Sequence, residues 1–200
     1  MRRTFTWLIC LTVLILLIAP AATAQSVSIT EYAGPTSSSG PNGIAVGPDG
    51  ALWFTEYYGH KIARITTVGT IAEYALPAPP GSPSGIASGP DGAMWFTEAE
   101  GKIGRITTGG SISEYPIPTQ AGTPTGIAAG PDGAIWFTEH NASKIGRITT
   151  AGAIVEYSVP PMSCSSPAGI AAGPDGALWF ADECGAGSGE SGFKYRKQME

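Results

Sequence analysis

The tripeptide Pro-Asp-Gly occurs four times, starting at Pro48, Pro90, Pro131 and Pro174, so the copies stand 42, 41 and 43 residues apart. Around each copy the same longer phrase returns, most fully between Gly126 and Tyr157 as GIAAGPDGAIWFTEHNASKIGRITTAGAIVEY. GIAA is a small apolar run and PDG is turn chemistry. AIWFTE, rich in aromatic and β-branched residues, reads as a strand. KIGRIT reads as a third strand and, after the TAG turn, AIVEY as a fourth. Four strands in about 40–45 residues is the period of a β-propeller blade, whereas solenoids of that period are helical. The Gly, Pro and Thr in these segments disfavour helix. The repeat therefore predicts an all-β propeller of four-stranded antiparallel blades, each of which must stack on its copies because one sheet cannot bury both faces alone.

Taken in order, residues 1–24 read as a secretory signal peptide: Arg2 and Arg3 form the basic start, Trp7–Ile18 the apolar stretch, and Ala22-Thr23-Ala24 the small-residue cleavage site. About 12 apolar residues are too few to span a bilayer that needs about 20. The mature chain is expected to be secreted or periplasmic, with no membrane association. Cleavage would take the formal net charge from −5 to −7, and an acidic, charge-poor surface argues against nucleic acid as a partner.

The partial propeller is expected over 25–184. Val27–Tyr32 matches the fourth strand of the later repeats and is expected to be an outer strand available to complete the last blade. Three whole blades follow at about 42–74, 84–115 and 125–157, then a half-blade at 168–183. The tail 185–200 leaves the repeat. It reads as a disordered segment, as a makeshift third strand at Phe193–Arg196, or as sequence beyond a break in the reading frame.

Glu56, Glu98 and Glu139 end the three WFTE strands, and alternating strand direction puts them at the loops on one end of the blades. A ring of carboxylates there would suit a divalent cation, while a residue repeated in every blade is more simply structural. Trp53, Trp95, Trp136 and Trp179 read as packing between blades. His60 and His140 both follow WFTE, at different offsets. His140, next to Glu139, is the better acid–base candidate, set against a solvated loop histidine. Asn141-Ala142-Ser143 matches a glycosylation acceptor. Cys164 and Cys184 would both lie at the loop end of the fourth blade, where an exported protein permits a disulfide.

The recurring GIAxGPDGxxWFTE…KIGRITxxGxIxEY resembles the virginiamycin B lyase (streptogramin lyase) family, across residues 27–183. The resemblance implies a seven-bladed propeller that opens the ester of streptogramin B depsipeptides by elimination, with Mg²⁺ and a histidine base. It also implies a histidine just before the residue that opens a first strand, in one blade within Glu-Pro-His, and a metal-holding Glu at the end of a WFxE-type strand. The matching positions here are Asn42, Ser84, Thr125 and Ala168, preceded at two residues by Gly40, Ser82, Thr123 and Ser166. None is histidine or acidic; only the WFTE glutamates match, with Asp182 in the fourth blade. Seven such repeats need about 290 residues, whereas the 200-residue chain less its leader has 176.

The expectation is thus a truncated lyase-like protein, inactive alone and binding no Mg²⁺ of its own. The alternative is a non-catalytic exported module that binds a small molecule or protein on its loop face; a sugar-lactone hydrolase ranks below both. Four blades closing alone, or two half-rings associating, would each cover the open edges.

Overall fold

The computed structural model describes residues 28–160 and 165–183, and the backbone of 193–198. Residues 1–31 form one unit and 32–200 another. Among the described residues the second unit carries every strand. Its first sheet joins β1 (Pro41–Val46), β2 (Leu52–Glu56), β3 (Lys61–Ile65) and β4 (Ile71–Ala75) in sequence order. The second joins β5 (Pro83–Ser88), β6 (Met94–Glu98), β7 (Lys102–Ile106) and β8 (Ile112–Pro116). The third joins β9 (Pro124–Ala129), β10 (Ile135–Glu139), β11 (Lys144–Ile148) and β12 (Ile154–Ser158). The last has three strands, β13 (Pro167–Ala172), β14 (Leu178–Glu183) and β15 (Phe193–Gln198). All pairings are antiparallel, and the first strands neighbour one another from β1 to β5 to β9 to β13. The fold is an all-β propeller, and among the described residues it has three four-stranded blades and a three-stranded fourth sheet.

Each blade is held by a cluster built on the turn aspartate. Asp91 Oδ1 accepts from the indole Nε1 of Trp95 at 3.0 Å, and its Oδ2 accepts from Arg105 Nε at 2.6 Å. The Arg105 guanidinium lies over the indole at 5.9 Å, and Tyr115 stacks on it at 5.8 Å. Blades 1 and 3 repeat the set with Asp49, Trp53, Arg64 and Tyr74, and with Asp132, Trp136, Arg147 and Tyr157. Burial would raise these aspartates, but hydrogen bonds from tryptophan and arginine hold Asp49, Asp91 and Asp132 below the usual carboxylate range. Pro-Asp-Gly is therefore both the turn and the anchor of the strand that follows it. Gly50, Gly92, Gly133 and Gly176 supply the positive φ that the turn requires.

Seams between blades repeat as well. Thr97 and Thr138 carry the latch: each hydroxyl accepts the amide of its own blade's Gly-Ile glycine and donates to a carbonyl of the next blade. For Thr97 the partners are Gly85 N at 2.9 Å and Thr125 O at 2.8 Å; for Thr138 they are Gly126 N at 2.9 Å and Ala168 O at 2.6 Å. Thr55 does the same with Gly43 N and Ser84 O. Each first strand bulges at this glycine, which frees the amide the threonine satisfies. The tryptophans sit beside this latch, in apolar clusters shared with the next blade: Trp53 with Met94 and Phe96, Trp95 with Ile135 and Phe137, Trp136 with Leu178 and Phe180. Burying each such side chain is worth about 1.5–3 kcal/mol.

Two features differ from the sequence expectation. Ser28–Tyr32 forms no strand; a strand exists only where a ladder partner is at hand, and the described residues give this segment none. The last sheet is β13-β14-β15, without an N-terminal strand. Tyr32 nevertheless packs on the turn glycine Gly69 as Tyr74 packs on Gly110 and Tyr115 on Gly152. Of the three readings of the tail, the structure has the third strand: β15 pairs with β14 from Phe193↔Glu183 to Gln198↔Leu178, although its sequence has left the repeat.

The seam glycines give an internal control. A Cβ at Gly126 would collide with the carbonyl oxygen of Ala168 in the next blade, whereas one at Gly169 would meet nothing within 4 Å. Gly126→Ala is expected to destabilise the fold by about 1–3 kcal/mol and Gly169→Ala by under about 0.5 kcal/mol, read as a difference in urea midpoints. Equal effects would overturn the close-approach account.

Candidate functional site: the loop-end carboxylates

Strand alternation decides where the glutamates point. In β6, Trp95 and Thr97 face the following blade, as their contacts establish, so Met94, Phe96 and Glu98 face the preceding one. Glu98 and Glu139 therefore enter two successive seams, while Glu56 lies on the corresponding face of blade 1, where it lines a groove with Leu52, Phe54 and Ile65. Among the described residues no three His, Cys, Asp or Glu side chains come together to hold a metal ion.

Each of the three glutamates is almost completely buried, at 1%, 0% and 0% exposure; neither oxygen of Glu98 or Glu139 has a hydrogen-bond partner, while Ser39 stands beside Glu56. The nearby lysines are engaged elsewhere: Lys61, Lys102 and Lys144 bind Glu73, Glu114 and Glu156 of the fourth strands at 2.5–2.6 Å. In blades 1 and 3 a threonine, Thr36 or Thr119, adds hydroxyl and amide donors to that fourth-strand glutamate. The corresponding residue for blade 2 is Ala78, and Glu114 Oε1 is left without a partner.

Burial, followed by the charges of Glu114 and Glu156, pushes Glu98 and Glu139 up to about 7; burial also raises Glu56. Blade 4 solves the same position differently. Asp182, 2% exposed, accepts from Ser165 Oγ at 3.0 Å and from Ser166 N at 2.8 Å. Where blade 4 has Ser165, blades 2 and 3 have Gly81 and Gly122, and a Cβ at either glycine would collide with the glutamate. Blade 1 is intermediate, with Ser39 beside Glu56; the change from Glu with Gly in blades 2 and 3 to Asp with Ser in blade 4 is visible in the sequence only when the repeats are aligned.

The two histidines have separate settings. His60 stands directly before β3 with φ +52°, the place taken by Gly101 and Ser143 in the next blades, and its Nδ1 lies 2.9 Å from Gly81 O. It is a turn residue. His140 lies on the loop face with Nε2 3.7 Å from Glu183 Oε2 and Nδ1 3.1 Å from Asn141 Oδ1, while Asn141 Nδ2 donates to Thr123 Oγ1 at 2.8 Å. The first-strand positions Asn42, Ser84, Thr125 and Ala168 are partly or wholly exposed. Cys164 and Cys184, and with them the possible disulfide, lie outside the described residues.

The raised carboxyls set a pH dependence. A glutamic acid that titrates near 4.5 unfolded and near 7 folded binds its proton more tightly in the native state. Its contribution is complete below pH 4.5 and is lost as pH rises through about 7. The depressed carboxyls, Asp91 and Glu156 among them, act in the opposite sense and only below about pH 4. The melting temperature should therefore fall between pH 5 and pH 8, and the double substitution Glu98→Gln with Glu139→Gln should flatten that fall. A wild-type melting temperature that holds or rises over this range would refute the assignment.

Residues 20–190 match the virginiamycin B lyase family. Among solved structures, the chain is 42% identical to a virginiamycin B lyase from Staphylococcus aureus, covering 84% of this chain and 58% of that one with a TM-score of 0.74. It is 49% identical to a streptogramin B lyase, covering 76% of this chain and 51% of that one with a TM-score of 0.73. It also shares 47% identity over 48 residues with the virginiamycin B lyase of Saccharopolyspora erythraea, which is 24% of this chain and 16% of that protein. The chain thus spans a little over half the length of these solved relatives and a smaller part of the curated one. The seam residues, the turn aspartates and the WFTE strands form one scaffold, and the chain belongs to the virginiamycin B lyase family.

Proposed function

We propose that this chain is an exported propeller of the lyase type that opens no ester by itself. The family chemistry to which it is related is a metal-assisted elimination that opens the ester of streptogramin B depsipeptides. One observation supports the reading above the rest: Asn42, Ser84, Thr125 and Ala168, where the family resemblance implies histidine, include no group able to take a proton at neutral pH. Neither histidine of the chain replaces them, since His60 is a turn residue and His140 stands beyond a β10 end.

The Mg²⁺ that the family implies does not fit the residues present. Oxygen donors of the right chemistry exist in Glu56, Glu98 and Glu139, but among the described residues no three such side chains converge. Two of them hold protons up to about pH 7, and a metal site needs several converging oxygens. No catalytic step is therefore assigned to a metal on this chain. Export rests on the basic, apolar and small-residue segments of 1–24.

A second reading, a non-catalytic binding module, draws on the polar group formed by His140, Asn141, Thr123 and Glu183 at the loop face. It offers hydrogen bonds without a nucleophile or base arrangement.

One experiment addresses all three points. Protein recovered from the periplasm or medium should begin at Gln25, as read by N-terminal sequencing; an intact Met1 there would overturn the leader assignment. Incubated with quinupristin and Mg²⁺, it should yield no linear product by liquid chromatography and mass spectrometry, and turnover would refute the proposal. Heat of binding to quinupristin without product would favour the binding module.

A further inference from the structure

The turn that joins β10 to β11 carries a motif the propeller itself does not use. It reads His140-Asn141-Ala142-Ser143, in which an asparagine is followed at the second place by a hydroxyl residue, the acceptor pattern for N-linked sugar. Glu139 stands two places before the asparagine, where one class of oligosaccharyltransferase reads an acid. The chain's other asparagine, Asn42, is followed by Gly43 and Ile44 and has no such hydroxyl.

The geometry of the turn leaves this side chain room. Asn141 is exposed on the loop face, while its backbone N–H donates to Gly122 O at 3.0 Å. Tyr58 takes the same station in blade 1, donating to Ser39 O at 2.9 Å, so the turn admits a large side chain there. Asn141 Nδ2 gives one hydrogen to Thr123 Oγ1 at 2.8 Å and has a second available for substitution.

We propose, resting on the export reading above, that Asn141 accepts an N-linked glycan from a polyprenyl diphosphate-linked oligosaccharide. A bond forms between Nδ2 and C1 of the first sugar, the bond from C1 to the diphosphate oxygen breaks, polyprenyl diphosphate leaves, and one Nδ2 proton is released. Folded, the motif is locked: Ser143, at φ +54°, donates its hydroxyl to Ser165 O at 2.6 Å, and Glu139 is 0% exposed. A transferase must reach both, so transfer belongs to the unfolded chain as it leaves the cell. Once the chain folds, the remaining Nδ2 hydrogen still serves Thr123, and the bulky, solubilising sugar projects from the loop face.

Exporting the chain from cells supplied with such a transferase and its lipid-linked oligosaccharide tests this, once with residues 1–24 and once with a heterologous cleavable leader in their place. Mass spectrometry of the exported product should show one oligosaccharide, on the peptide that holds Asn141. Asn141→Gln and Ser143→Ala should each lose it, and Ser143→Thr should keep it. Because transfer precedes folding, a variant that folds poorly is as informative as one that folds. The glycosylated wild type should still melt cooperatively. An exported wild-type chain without sugar, sugar that survives either loss variant or disappears in Ser143→Thr, or a glycosylated chain that no longer folds would each overturn the proposal. A glycan that forms only with the heterologous leader would overturn the native leader and leave the acceptor standing.

Discussion

The rest of the structure depends on the threonine that links three strands at every complete seam. A bulge in the first strand leaves one glycine amide outside the ladder, and an unpaired buried amide is costly. Thr97 accepts that amide and passes its own proton to the carbonyl of Thr125 in the next blade. One hydroxyl thus satisfies the bulge, fixes the distance between blades and sets their order. The indole beside it can then bury itself between sheets, and the aspartate and arginine around the indole hold it at a single angle. Because each blade touches only its neighbours, stability accumulates seam by seam, as it does in other repeat proteins.

Most of this was legible in the sequence. The Pro-Asp-Gly interval gave the blade period, and the aromatic and β-branched residues of WFTE gave the second strand. What could not be read was which neighbour each side chain faces. A period of two separates Trp95 from Glu98 onto opposite faces, but it does not say which face meets the preceding blade; the packing of Met94 and Phe96 against Trp53 decides that. For the same reason, spacing alone left both a carboxylate ring and a structural residue open for the glutamates; among the described residues no three carboxylates converge. The N-terminal match to a fourth strand misled because a strand is defined by its ladder partner as well as by its sequence. The opposite holds at β15, where Phe193–Gln198 pairs with an available edge despite having no repeat character.

The buried glutamates show a faithful repeat retaining something locally unfavourable. Glu98 and Glu139 lie where neither lysine nor hydroxyl reaches them, whereas Asp182 receives two serine donors at the same station. The longer side chain fills space that a glycine at position 81 or 122 leaves open, so glutamate and glycine are a matched pair in volume and a mismatch in hydrogen bonding. Neutral at mildly acidic pH, such a carboxylic acid is tolerable in a dry seam; ionised, it has lost its water with nothing in return. The repeat therefore keeps shape at these sites ahead of polarity.

The position before each Gly-Ile pair obeys a different rule. Asn42, Ser84, Thr125 and Ala168 vary freely in a chain that otherwise repeats itself closely. The reason is mechanical: at Ser84, Thr125 and Ala168 the seam uses the backbone carbonyl, which receives the threonine hydroxyl, and needs no particular side chain. A site with a fixed backbone and an unconstrained side chain is where chemistry can be planted without weakening the scaffold. A histidine placed there would inherit a carbonyl anchored to the neighbouring blade, while alanine in the same place leaves the seam intact. Backbone and side chain of one residue thus serve separate ends: the carbonyl holds the seam, and the side chain is free to vary without loosening it.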